Sequence, residues 1–145
     1  MNATLDLPRG KGFWITGILA LLWNLIGVAM FVMQLTMSPE QVAQMSSADQ
    51  TIYNALPMWL YVVFGIAVFG GVLGAIGLLL KKRWAVTMFF VSLLAILAQT
   101  IGMFTSTPAW DLKGVHTLVM PGILIVIALF LWWYSQKAAV RGWLN

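Results

Sequence analysis

Four apolar runs, each close to 20 residues long, leave this chain almost no choice of solvent. They cover about Phe13–Leu35, Ala55–Leu80, Ala85–Phe104 and Thr117–Tyr134. At 1.5 Å per residue, helices of these lengths reach roughly 27 to 39 Å, enough to cross a hydrocarbon layer of about 30 Å. Backbone polar groups inside lipid must be paired within the segment, so such runs are read as helices. Composition agrees: 61% of the residues are hydrophobic and 8% are charged, too few charges to solvate a water-soluble globule. The expectation is an all-α membrane protein, a four-helix bundle forming one domain over residues 1–145 with the lipid bilayer as its surroundings. The second run, the longest, is expected to tilt, kink at Pro57 or protrude. The first is too long for a secretory h-region and is read as a retained span.

Basic residues orient the bundle. Arg9 and Lys11, then Lys81, Lys82 and Arg83, then Lys137 and Arg141 fall on one side, and only Lys113 falls on the other. Seven against one, under the positive-inside rule, places both termini and the Lys81–Trp84 turn on the cytoplasmic side. Trp14, Trp84, Trp132 and Trp133 then mark the inner interface, and Trp59 and Trp110 the outer one. The net charge of +4 is therefore read as topology and not as a nucleic-acid surface.

The first outer loop is expected to be ordered. Ser38-Pro39-Glu40-Gln41 combines an N-cap, a proline at the first helical position and a capping-box glutamine, so a short surface helix from Pro39 to about Met45 is expected. Ser47-Ala48-Asp49-Gln50 repeats the capping pattern, and the second span is expected to begin above the membrane near Ala48.

The two halves resemble each other. Each starts with basic residues and a tryptophan, reaches a Thr-x-Ser/Thr-Pro step (Thr36–Pro39, Thr105–Pro108), and has a proline near the outer end of its second span, Pro57 or Pro121. A parallel duplication about an axis along the membrane normal fits this pattern. So does the plain likeness of any two helical hairpins.

Chemistry is sparse. No Asp, Glu, Lys or Arg falls inside a span, although an embedded ionisable group is the usual mark of an ion or proton path. A proton-coupled antiporter of the small multidrug type needs such a carboxylate. Cysteine is absent, which excludes thiolate ligation, and the single His116 lacks a second metal ligand at helical spacing. No catalytic residue, cofactor or metal site is assigned.

What remains is uncharged. Gly17, Ala20, Asn24, Gly27 and Gln34 share one stripe of the first span; Ser92, Ala95, Gln99, Gly102 and Ser106 share one stripe of the third. Small residues interleaved with amides suit close helix contact in lipid, and Asn24, Gln34, Ser92 and Gln99 are candidates for interhelical bonds or for a polar pathway. Gly70, Gly74 and Gly77 form a packing face on the second span, used either within the chain or between copies of it. The fourth span, apolar from Ile123 to Leu131, is expected to face lipid, with a kink at Pro121.

With Trp23-Asn24, Met37-Ser38-Pro39-Glu40 and the glycine-rich second span, the whole chain resembles small bacterial four-helix inner-membrane proteins, some of them labelled sugar transporters. The resemblance implies a multi-pass inner-membrane location and possible transport, and supplies no site residues. One four-helix subunit is small to enclose a sugar path.

The expected function is a non-catalytic bundle acting through homo-oligomerisation or as an accessory subunit of another membrane protein. The alternative is a small-solute transporter or channel lined by the polar residues above. An interfacial enzyme comes third, with only Asp111 and His116 on the outer face to serve it.

Overall fold

The computed structural model describes residues 11–144; Asp6 and Arg9, the latter counted above among the basic residues, lie outside that range. The described chain is helical throughout: α1 (Lys11–Leu35), α2 (Pro39–Ala43), α3 (Ser47–Ala55), α4 (Met58–Leu79), α5 (Trp84–Ser106), α6 (Ala109–Lys113), a 3-10 turn over Gly114–Leu118, and α7 (Val119–Val140). Four stretches are long and apolar enough to cross a membrane. The long helices pack in the order α1, α4, α5, α7, each against the next. One end of the bundle holds the Lys81–Arg83 turn (the basic end), and the other holds α2, α3 and α6 (the loop end).

Local chemistry explains most boundaries. Ser38 Oγ accepts a hydrogen bond from the Gln41 N–H at 3.2 Å while Gln41 Oε1 accepts one from the Ser38 N–H at 2.9 Å, a complete capping box that opens α2. The next cap falls one residue earlier than the sequence pattern suggests. Ser46, not Ser47, accepts from the Asp49 N–H, and Gln50 instead donates to the carbonyls of Ala43 and Met45, tying α3 to α2.

The second span does not run on from α3. Leu56 and Pro57 are both extended, at ψ 120° and ψ 157°, and α4 begins at Met58. Proline disfavours the helical conformation in the residue before it, so Pro57 separates two helices where a kink within one was among the expectations. Pro121 falls at the start of α7, directly after the 3-10 turn. It stands in the first turn of α7, where N–H groups have no intrahelical acceptor, so its missing donor forfeits no bond.

At the basic end both α4 and α7 close with Schellman hydrogen bonds. Lys82 N–H reaches Gly77 O and Lys81 N–H reaches Leu78 O; Trp143 N–H reaches Ala138 O and Gly142 N–H reaches Ala139 O. The left-handed residue is Gly142 (φ 77°) in the second case and Lys81 (φ 64°) in the first. This reversal turns the tail after α7 back onto the bundle. Leu144 is buried with Phe13, Trp143 meets the Phe13 ring edge-on at 5.6 Å, and Arg83 Nε donates to Leu144 O at 3.4 Å.

The core tapers. Its main cluster is Phe13, Ala20, Ala75, Leu78, Ala85, Phe89, Leu131, Ala138 and Leu144, all in the half nearest the basic end. α1 buries only Phe13, Gly17 and Ala20, and α7 only Ala128, Leu131, Ser135 and Ala138. α4 and α5, by contrast, bury residues from one end to the other, Leu60 to Leu78 and Ala85 to Gly102. Helices α1 and α7 are thus clamped to the central pair at the basic end and are less covered toward the loop end. The α7 face bearing Ala128 and Leu131 packs inward, so only its outer side fits the lipid-facing wall expected from its composition.

Candidate functional site

Two polar side chains inside the spans, Asn24 and Ser92, lie against glycines of α4. α4 runs between α1 and α5, and each of its faces carries small residues against a larger partner. A Cβ on Gly74 would lie 2.7 Å from the Phe89 ring, and one on Gly77 2.7 Å from the Trp84 ring. Gly70 is looser, with Met88 O and Ser92 Cβ at 3.5 Å. These three glycines therefore receive α5 of the same chain. Of the two uses the sequence left open for this face, packing within the chain is the one seen.

The opposite side of α4 receives α1. Gly17 meets Leu79, Gly27 meets Val68, and Gly65 receives Phe31. Between them Asn24 lies directly on Gly71, so close that any Cβ there would collide with its carboxamide. Asn24 Nδ2 donates to Ala20 O at 2.8 Å, back along its own helix. Among the described residues, its Oδ1 receives no hydrogen bond.

That carboxamide opens on a small cavity at the centre of the bundle. It measures about 20 Å³ and is lined by all four long helices, Asn24 from α1, Gly71 from α4, Ser92 from α5 and Ala128 from α7 among them. Ser92 is buried and donates to Ala67 O at 2.6 Å, which joins α5 to α4 and leaves its lone pairs as acceptors. The space suffices for about one water molecule, and Asn24 and Ser92 are its polar contacts.

The other two amides lie elsewhere. Gln34, near the loop end of α1, meets the Tyr61 hydroxyl, which also faces Tyr53. Gln99 shares the inward stripe of α5 with buried Ser92, Ala95 and Gly102, yet is itself only half-buried, and among the described residues its side chain makes no hydrogen bond. The four candidates do not form one continuous polar lining; only Asn24 and Ser92 meet.

The loop end has its own site. α6 and the end of α5 border a cleft of about 390 Å³ lined by Phe104, Thr107, Trp110, Asp111 and Leu118. His116 is exposed on the 3-10 turn and does not line it, so Asp111 and His116 do not share a cleft. Lys113 turns away from Asp111 and pairs with Asp49 on α3 at 2.5 Å. The lysine beside Asp49 holds that carboxyl below the usual carboxylate range, against a smaller opposing effect of burial and with help from the Ser46 hydroxyl. Among the described residues, no group of three or more His, Asp or Glu side chains is placed to hold a metal ion.

Sequence reasoning missed the Asn24–Gly71 contact, the Asp49–Lys113 pair and the cleft around Asp111. Gly71 stood in the glycine-rich run, but its partner lies 47 positions away and no periodicity connects the two. Comparisons of the chain with known proteins found no matching family model, no matching curated protein and no matching solved structure.

Proposed function

We propose that this chain is a non-catalytic bundle of a bacterial inner membrane, with both termini cytoplasmic, that acts by associating with a second copy or with another membrane protein. The observation that carries the reading is Gln99. It sits about 10 Å below the loop end of α5 on the inward stripe, half-buried and without a hydrogen-bond partner among the described residues. An amide left unpaired in hydrocarbon is costly, and glutamine side chains bridge helices of separate chains readily. The taper of the core supports this, since neither α1 nor α7 buries a residue in its half nearest the loop end beyond Ala128. The glycine face of α4 already holds α5 and is not the association surface. The charge asymmetry supports the orientation, with α2 then lying at the outer membrane surface.

The test is the mass of the particle extracted in nanodiscs, for wild type and for Gln99→Leu. The reading expects a wild-type particle heavier than one chain, by a second copy or a co-purified membrane protein, and a lighter particle for the variant. A wild-type particle of one chain alone would refute it.

A second reading, a small-solute path, is favoured by the shared cavity of Asn24 and Ser92 and by the resemblance noted above. A volume of about 20 Å³ admits nothing larger than water, however, and Gln34 and Gln99 do not line it. Passage of a solute would need the inner half of the bundle to open.

A further inference from the structure

The cleft around Asp111 combines three features that together select a ligand. Its wall is aromatic: Phe104 and Trp110 stand edge to face with centroids 6.1 Å apart and planes at 71°. Trp110 is half exposed, so part of a large indole surface is left uncovered by the protein. Its hydroxyl is already engaged. Thr107 Oγ1 donates to Met103 O at 2.6 Å and accepts from the Ala109 N–H at 3.3 Å, bonds that hold the α5–α6 corner. Its charge is a carboxylate: among the described residues no cation lies within ion-pair distance of Asp111, and the one lysine of α6 is bound to Asp49.

The surroundings have the same sign. Between α1 and α7 the chain carries, at the loop end, Glu40, Asp49 and Asp111 against Lys113 alone, a net negative charge with His116 neutral. An anion would meet repulsion there, and a neutral apolar molecule would leave the carboxylate beside it poorly solvated. A small inorganic cation would gain nothing from the indole and phenyl walls that water does not offer better. A substituted ammonium fits all three features: charge against Asp111, cation–π contact with Trp110, apolar substituents against Phe104 and Leu118.

We infer that the cleft lined by Phe104, Trp110, Asp111 and Leu118 binds an organic ammonium ion bearing apolar substituents. Two sources share that chemistry, the aminoalkyl headgroup of a membrane lipid and a free organic cation arriving from the aqueous side. The inference is independent of the association reading, because the cleft is complete within one chain.

The test uses the full chain in a zwitterion-free detergent and the probe benzyltrimethylammonium, titrated calorimetrically. Saturable binding is expected, weakened about tenfold by Asp111→Asn and by Trp110→Leu, as loss of one charge contact or one cation–π contact of about 1.4 kcal/mol implies. The uncharged isostere of the probe, with carbon in place of nitrogen, is expected not to bind. Asp111 and Trp110 are both exposed, so neither variant is expected to unfold the bundle, and equal melting temperatures check this. Repeating the titration in nanodiscs separates the sources. Competition by phosphatidylethanolamine, absent with phosphatidylglycerol, assigns a lipid headgroup, and equal binding in both assigns a free cation. No saturable binding by the wild-type chain, or binding unchanged in Asp111→Asn, overturns the inference.

Discussion

The carboxamide of Asn24 rests on the bare backbone of Gly71, and no other residue type fits at position 71 without displacing it. α1 and α4 thereby approach at the depth where the central cavity begins. Gly71→Ala should destabilise the bundle by about 1 to 3 kcal/mol, the usual cost of overpacking a close contact. Combined with Asn24→Ala it should cost less than the sum of the single changes, since removing the carboxamide makes room for the new methyl group. Gly122→Ala, with no atom within 4 Å of the added Cβ, serves as the control without a clash and should not lose stability. Melting temperatures of the purified chain and its variants check this, and strict additivity would place Asn24 elsewhere.

Neighbouring glycines on one face should respond with opposite sign. Gly70→Ala meets its nearest atoms at 3.5 Å, ordinary contact, and gains roughly 0.5 to 1 kcal/mol of helix propensity. Gly74→Ala drives a Cβ to 2.7 Å from the ring of buried Phe89 and should lose about 1 to 3 kcal/mol. The comparison is read in the same thermal assay. Equal loss at both positions would mean that α5 packs at a different register.

The Asp49–Lys113 pair ties the first loop to the second. The carboxyl of Asp49 is held below its ordinary value, so its contribution to stability is present above that value and is lost as the pH falls through the range below about 4. Both side chains are more than a third exposed, and the pair is worth no more than about 1 kcal/mol. Wild type should therefore melt slightly above Asp49→Asn at pH 7, with the gap closing toward about pH 3 and in high salt. A gap that widens on acidification would contradict the pairing.

Orientation is open to chemical labelling. Gln44, Lys82 and Val115 are exposed in the fold, and a cysteine at any of them is reachable by a maleimide on its own side of the membrane. With the termini inside, cysteines at 44 and 115 react with an impermeant reagent added to intact cells, and one at 82 reacts only after permeabilisation. Ala109 would be a poor reporter, being 2% exposed at the start of α6. Labelling of position 82 in intact cells would invert the topology.

The number of spans and the helical class followed from the sequence because each depends on short-range quantities: the length of an apolar run and the need of backbone groups in lipid to bond within their own segment. The Ser38 capping box was legible for the same reason, its bonds spanning three residues. Two local readings failed where competing local choices were nearly equal. Ser46 and Ser47 both suit an N-cap, and Pro57 could bend a helix or end one. Which partner each polar residue meets was decided by the tertiary structure alone. Asn24 and Gln99 sit on equivalent small-residue stripes of α1 and α5, yet Asn24 is seated on Gly71 while Gln99 has no hydrogen-bond partner among the described residues. At the basic end it is likewise the tertiary structure that brings Leu144 and Trp143 against Phe13. Contacts between residues more than a hundred positions apart leave no periodic trace in a sequence, because they are set by where whole helices come to rest.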